Sequence, residues 1–246
     1  MRLKILFTFL VFLLVFSSCS DEEPIIDDNQ MDDIPNEIMP LGASRVQGAR
    51  PLFESFRYDL WKLLVDGGFE FDFIGTVDDR TSYAEHMGMQ FDPDHEGRAG
   101  WTSGQILNGL PGWLDEAGAP DFVLFSSPGG NDALQGMPYN QIINNINSII
   151  DIIQDTNPNV TIVVEKLAPA RSDIMTTELE SYFNQMKQDI EEIAQQQTTA
   201  TSSVIVVDMA TGFSDEFYAD PVHYNAEGAL FVANKYYEVL EGFLER

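Results

Sequence analysis

Four short blocks hold the side chains best suited to chemistry: Gly42-Ala43-Ser44, His95 to Thr102 with Gly100 near its end, Gly129-Gly130-Asn131-Asp132, and Asp220-Pro221-Val222-His223. Ser44 stands on a glycine-flanked turn, where its hydroxyl could be exposed. A serine hydroxyl becomes a useful nucleophile only when a neighbouring base takes its proton. The chain has 3 histidines. His223 is the best placed of them, just ahead of a helix-like segment at the far end of the chain. Asp220, three residues earlier, could hold the other ring nitrogen and fix its tautomer. A tetrahedral intermediate also needs preorganised donors for its oxyanion. The backbone N–H groups of Ser44 and Gly100 and the side-chain amide of Asn131 are the candidates. Taken together, these residues suit acyl transfer, with Ser44 as nucleophile, His223 as base and Asp220 as orienting acid. No cofactor and no metal are expected. His95 with Glu96 lacks a second histidine at ligand spacing, so His95 is expected as a hydrogen-bonded loop residue, and His86 needs no role.

Other residues near these blocks admit two readings each. Trp101, Phe217, Tyr218 and Tyr224 could form a wall on which a sugar stacks, or could pack the loops. Asn131 and Asp132 could simply close a turn. Arg45, Arg98 and Lys166 stand out in an acidic chain. They could contact an anionic substrate or offset nearby carboxylates, and the second reading is preferred.

Positioning these blocks requires a scaffold. Ile38-Met39-Pro40-Leu41, Phe71 to Ile74, Asp121 to Phe125, Val160 to Val164 and Val204 to Val207 are short apolar runs that read as buried strands. Between them, Ser55 to Val65 and the Ile142 to Ile153 series place apolar residues at helical spacing. Thr177 with Glu180 suggests a capping box for a further helix, and Asn225 a cap for a last one running to about Phe243. Strands alternating with helices predict an α/β domain, a three-layer α/β/α sandwich with a five-stranded parallel sheet. In such sheets ligands bind beyond the carboxyl ends of the strands, which is where the four blocks fall.

The N-terminus reads differently. Arg2 and Lys4 precede a run from Ile5 to Phe16 that is apolar except for Thr8, and Ser17-Ser18-Cys19 follows. This is the pattern of a secretory signal peptide over residues 1–18. The small residues directly before Cys19 resemble a bacterial lipobox, with Phe16 where Leu is usual. That resemblance implies that Cys19 is the lipid attachment point. Residues 19–37 contain 8 acids and no base, and read as a disordered acidic tether. An acidic stretch after a lipidated cysteine resembles the signals that send some Gram-negative lipoproteins to the cell surface. The expectation is a lipoprotein of the outer membrane or cell surface, touching the membrane only through that N-terminal anchor.

Composition excludes several classes. One cysteine cannot form an intramolecular disulfide or a thiolate metal site. A net charge of −27, from 13 Lys+Arg and 40 Asp+Glu, disfavours nucleic acid as a partner. Without the tether's acids and the two leading bases, 11 − 32 leaves −21 for residues 38–246, so the domain itself is acidic.

The four blocks, in this order, resemble the SGNH/GDSL hydrolase superfamily, and within it the acetylxylan-esterase-like carbohydrate esterase family 3. The similar stretches run from Ile38 to Gly228 and cover most of the chain after the tether. The family usually has Asp where this chain has Ala43; that aspartate supports the turn and is not a triad member. Thr is common where this chain has Gly130. The resemblance implies a flavodoxin-like SGNH fold over residues 38–246. It implies Ser44, His223 and Asp220 as the triad, and Gly100, Asn131 and the Ser44 amide as the oxyanion hole. The expected partner is an acetylated polysaccharide or oligosaccharide. Two alternatives stand beside that reading: a non-catalytic glycan-binding lipoprotein on a decayed esterase fold, suggested by Ala43, and a lipase or thioesterase of the same superfamily.

Overall fold

The computed structural model describes residues 36–79 and 81–244. The expected signal peptide, Cys19 and the tether up to residue 35 lie outside these residues. The folded chain already includes the last two residues assigned to the tether. Asn36 is buried and its amide donates to the Glu70 carbonyl at 2.6 Å, and Glu37 opens the first strand.

The order of elements is β1 (Glu37–Gly42), α1 (Ser44–Gln47), α2 (Arg57–Gly67), β2 (Asp72–Phe73), β3 (Glu96–Gly97), α3 (Ser103–Ala117), β4 (Phe122–Phe125), α4 (Gly130–Leu134), α5 (Tyr139–Thr156), β5 (Thr161–Lys166), α6 (Thr177–Gln197), β6 (Ser203–Asp208) and α7 (Ala226–Leu240). The sheet is parallel throughout, in the order β2-β1-β4-β5-β6. Successive side chains on a strand point to opposite faces, and both faces are covered. Met39, Leu41, Val123, Phe125, Ile162 and Val164 pack with α3, α5 and α6. Ile38, Phe122, Leu124, Val163 and Val207 pack with α2 and α7. This is the three-layer α/β/α sandwich read from the sequence, and its double burial explains why the strands are near-continuous apolar runs.

The sheet differs from the expected one in having six strands rather than five. The added strand is β3, which pairs with β1 beyond the point where β2 stops. β2 lies beside Glu37 and Ile38, and β3 beside Leu41 and Gly42. One edge position is thus shared by two short strands, with residues 74–95 looping out between them. Pro40 accounts for the break. The carbonyls of Asn36, Ile38 and Gly42 accept from Asp72, Ile74 and Arg98 on this side, whereas those of Glu37 and Leu41 accept from Asp121 and Ser126 on the other. Pro40 therefore faces the β2/β3 side. It has no N–H to give a ladder there, and the missing donor coincides with the gap.

Helix α3 is an element that the periodicity did not suggest, because Gly104, Gly109, Pro111 and Gly112 all argue against a helix. It forms because Thr102 and Gln105 make a reciprocal capping box at its start. Its apolar positions Ile106, Leu110 and Leu114 are buried against the sheet. The cap of α6 is Thr176, which accepts from the Leu179 N–H at 3.3 Å, and not Thr177. Asn225 caps α7 as expected, accepting from the Gly228 N–H at 2.9 Å, and the helix ends at Leu240 rather than near Phe243.

The start of α7 is clamped to the preceding loop. Asn225 donates from its backbone to the Phe217 carbonyl at 3.0 Å and from its side chain to the Glu216 carbonyl at 2.7 Å. A Cβ at Gly228 would lie 2.2 Å from the Phe217 carbonyl oxygen. Gly228→Ala must therefore push this loop away from the helix. The expected cost is about 2–3 kcal/mol, or roughly 5–10 °C in thermal midpoint, read by following ellipticity against temperature. An unchanged midpoint would show that the loop yields freely.

Candidate active site

β1 delivers Ser44 to the carboxyl edge of the sheet. The chain leaves the strand at Gly42, where a Cβ would lie 2.9 Å from both the Ser126 carbonyl and a Val46 methyl. It turns through Ala43, whose carbonyl accepts from the Val46 and Gln47 N–H groups. Ser44 then becomes the first residue of α1. Its own N–H is one that a helix start leaves without an intrahelical partner. Ala43 contributes no side-chain cap, so this turn is held by backbone bonds alone.

His223 reaches Ser44 from the other end of the chain. Its Nε2 lies 2.8 Å from Ser44 Oγ across 179 residues of sequence, and its Nδ1 lies 2.7 Å from Asp220 Oδ2. The other oxygen of Asp220 accepts the N–H groups of Val222 and His223 at 2.9 and 2.8 Å. One carboxylate thus shapes the loop and orients the ring. Since the carboxylate can only accept, Nδ1 carries the proton and Nε2 is left to accept from Ser44. Burial pushes the Asp220 carboxyl up, but the bonds from the His223 ring and the two backbone N–H groups outweigh it and hold the group below the usual range. Phe53 lies flat against the His223 ring, with centroids 3.8 Å apart and planes 11° from parallel. Nothing in the spacing around Phe53 pointed to this contact.

Arg45 ties the two halves together. Nε donates to the Val222 carbonyl at 2.9 Å, next to His223. Nη1 donates to the Ala168 carbonyl at 2.9 Å and to Ser127 Oγ at 3.3 Å, and Nη2 to the Pro169 carbonyl at 3.2 Å. The guanidinium also stacks over the Tyr224 ring at 4.8 Å. Behind it, Glu165 is fully buried and accepts from the Ser127 N–H and from the Tyr236 hydroxyl, both at 2.7 Å. A charged residue inside the apolar run of β5 was the available signal for Glu165. Arg98 pairs with Glu96 at 2.8 Å, and Lys166 pairs with Glu191. These two cations offset carboxylates, as preferred from the sequence, whereas Arg45 satisfies carbonyls.

The donor side is built by α4 and the loop before α3. Asn131 Nδ2 donates to the Trp101 carbonyl at 2.8 Å, which leaves its second N–H free of that bond, and Gln135 Nε2 donates to the Gly100 carbonyl at 3.1 Å. Asp132 is buried and accepts both the N–H and the hydroxyl of Ser103, at 2.8 and 2.7 Å. It therefore fastens α4 to the start of α3 and does more than close a turn. Gly100 has φ +78°, a conformation that favours glycine, and among the described residues its N–H meets no acceptor. Ser44, Asn131 and Trp101 line one pocket; Gly100 is the neighbour of that wall and not part of it.

His95 is the hydrogen-bonded residue expected, and it lies away from the pocket. It is fully buried, with Nδ1 accepting from the Gly97 N–H at 2.8 Å. Burial, with Arg57 and Arg98 nearby, depresses its pKa to about 2. Of the two readings for the aromatic residues, loop packing holds for Phe217, Tyr218 and Tyr224, and the four-residue sugar-stacking wall does not form. Tyr218 and Tyr224 are buried, and with Phe217 they pack around Phe213 and Phe231; only Trp101 faces the pocket. Among the described residues no group of three or more His, Cys, Asp or Glu is placed to hold a metal ion.

Residues 68–230 match the GDSL-like lipase/acylhydrolase family. The chain belongs to that family. Solved structures share the fold. An acetyl esterase crystallised as a serine-to-alanine mutant with an acetate ion is 26% identical, with a TM-score of 0.72, covering 84% of this chain and 97% of its own. A carbohydrate esterase family 3 protein from Talaromyces cellulolyticus gives the same values. A family 3 carbohydrate esterase from Clostridium thermocellum is 27% identical, with a TM-score of 0.66, covering 85% of this chain and 99% of its own. No curated protein matches the chain at a significant level. This GDSL-family acylhydrolase is thus an esterase similar in structure to carbohydrate esterases of family 3.

Two measurements probe how the site is held. Arg45→Lys keeps the charge but cannot span four acceptors with one ammonium. It should cost about 2–3 kcal/mol in urea unfolding by stranding buried carbonyls; a loss well under 1 kcal/mol would show that water replaces the guanidinium. His95 supplies a pH test. Its folded pKa lies below its unfolded value near 6.5, so the unfolded chain binds the extra proton. Its contribution is present above pH ~6.5 and falls away as pH drops towards 2. His95→Gln should therefore flatten the dependence of stability on pH below about 6, whereas an unchanged slope would place the acid sensitivity elsewhere.

Proposed function

We propose that the protein is a serine esterase that removes acetyl or other short acyl groups from a polysaccharide, with Ser44, His223 and Asp220 as its catalytic triad. The observation that carries this reading is the unbroken line from Asp220 Oδ2 through the His223 ring to Ser44 Oγ, with both contacts at hydrogen-bond length. Ser44 attacks the ester carbonyl while His223 Nε2 takes its proton, and Asp220 stabilises the imidazolium that forms. The Ser44 and Gly100 N–H groups and the Asn131 amide receive the oxyanion. His223 returns the proton to the departing sugar alcohol. Water then attacks the acyl-serine by the same route and releases the carboxylic acid. Phe53, flat on the imidazole, restricts ring rotation.

The polysaccharide rests on the likeness to family 3 carbohydrate esterases, and the placement outside the cytoplasm rests on the lipobox-like Ser17-Ser18-Cys19 and the acidic stretch after it. The loss of the usual aspartate at Ala43 favours a decayed, non-catalytic fold less than the sequence suggested, because Ser44 still meets His223 at 2.8 Å. The test is acetate release from acetylated xylan and p-nitrophenol release from p-nitrophenyl acetate. Ser44→Ala should lower kcat by about 10⁴-fold or more. Turnover that survives the substitution would sink the mechanism. Binding of glycan without turnover of any short-chain ester would favour the non-catalytic alternative.

A further inference from the structure

One backbone N–H stands apart in the segment that leads into α3. Gly97 donates to His95 Nδ1 at 2.8 Å, Arg98 to the Gly42 carbonyl at 3.0 Å and Ala99 to Gln47 Oε1 at 2.7 Å. Trp101 donates to the Arg98 carbonyl at 3.1 Å and Thr102 to Gln105 Oε1 at 3.0 Å. Gly100, in the middle of this run, has no acceptor among the described residues. Backbone donors are normally paired, and the unpaired one here is the N–H that the esterase reading gives to the oxyanion. It belongs to a tight turn closed by the Trp101-to-Arg98 bond, with φ +78° at its third residue, where glycine is required. Packing does little to hold that turn. Ala99 and Gly100 are exposed, and a Cβ at Gly100 would meet nothing within 4 Å. An exposed turn of this kind keeps its place through its hydrogen bonds.

Two of those bonds join the turn to the segment that carries Ser44. The bond from Arg98 to Gly42 is backbone to backbone, so it does not depend on which side chains are present. The bond from Ala99 to Gln47 does. Gln47 is the last residue of α1, and its backbone is a fixed base. The buried guanidinium of Arg57 donates to the Val46 and Gln47 carbonyls at 2.8 and 3.1 Å. Gly97 lies so close that a Cβ there would be 2.5 Å from the Gln47 nitrogen. From this base the Gln47 amide oxygen reaches the residue directly before Gly100. On the other side Gln135 donates to the Gly100 carbonyl at 3.1 Å, which ties the turn to α4 and so to Asn131. Ala43 has no polar side chain to share the task. An oxyanion donor must lie about 2.7–3.1 Å from the forming charge, and a shift of about 1 Å can cost on the order of 10²-fold in rate. The reach of Gln47 therefore bears on catalysis even though its side chain acts on a neighbouring peptide.

We propose that Gln47 is a positioning residue for the reaction: by holding the Ala99 N–H, its side-chain oxygen aligns the Gly100 N–H with that of Ser44 so that both meet the oxyanion. The proposal rests on the esterase reading of Ser44. The test compares the purified full chain with Gln47→Met, which keeps the length of the side chain but loses the acceptor, and with Gln47→Glu, which keeps an acceptor. On p-nitrophenyl acetate, Gln47→Met should lower kcat about tenfold and change KM by less than about twofold, because the interaction lost is one made in the transition state. The Ki of a trifluoromethyl ketone, which forms a tetrahedral adduct with a serine, should rise by the factor by which kcat/KM falls. The apparent pKa of kcat/KM should not move, and the thermal midpoint should stay within about 2 °C. Gln47→Glu should be at least about threefold faster than Gln47→Met, since a carboxylate still accepts from the Ala99 N–H. Wild-type kcat in Gln47→Met, a loss carried by KM, a shifted pH profile, or a Gln47→Glu no better than Gln47→Met would overturn this proposal alone. So would a Gln47→Met chain that no longer folds, which would assign the residue to the fold. No turnover of any ester by the wild type, or turnover that persists in Ser44→Ala, would overturn the esterase reading and this proposal with it.

Discussion

The buried guanidinium of Arg45 sits where the carboxyl end of β1 meets the segment after β5 and the loop carrying His223. Shielded from water, it must find protein acceptors for its N–H groups, and it takes them from Val222, Ala168, Pro169 and Ser127. Because the fork is planar and rigid, the positions of those carbonyls fix one another. The segment after Ser44 and the residue before His223 are therefore held by one group. Burial alone would drive its proton affinity down, yet Tyr224, Tyr218 and Glu165 outweigh that and keep the cation charged. The 2.8 Å contact between Ser44 and His223 depends on this arrangement as much as on the two residues that make it.

Glu165 is the counterpart on the far side of Ser127. Burial raises its pKa, while Tyr236 and the Ser127 N–H work in the opposite direction. Ser127 stands between Glu165 and Arg45, with a positive φ of 50° that few side chains adopt. Its strained backbone is held because its N–H and hydroxyl are both committed to Glu165. The same residue lines the pocket beside Ser44, so the charge network and the pocket wall share structure. The donor side is built separately, by Asp132 joining α4 to α3 and by Asn131 and Gln135 holding the carbonyls of Trp101 and Gly100. The candidate site thus comprises two halves on adjacent strand ends.

Much of this was readable before any coordinates. The strands of β1, β2, β4, β5 and β6 announced themselves because both faces of a parallel sheet are covered, which leaves unbroken apolar runs. Ser44, His223, Asp220 and Asn131 stand out as candidates because few residue types suit such chemistry and each falls after a strand. Helix α3 was hidden by three glycines and a proline whose propensities are overridden by its cap and by burial of Ile106, Leu110 and Leu114. The broken edge strand was hidden because β2 and β3 are too short to show a period. The aromatic residues around His223 suited a binding wall and loop packing equally, since residue type does not reveal which face of a loop points inward; Tyr218 and Tyr224 are core.

The layers, the order of the four blocks and the acidity of the chain are legible in the amino acids alone, because periodicity and residue type act locally or through the whole composition. That Ser44 meets His223, that Phe53 backs the imidazole and that His95 is buried away from the cleft emerge only in the folded protein. Each of these depends on distance or burial between segments far apart in the chain. Such quantities arise when the sheet closes and water leaves, and no window of neighbouring residues contains them.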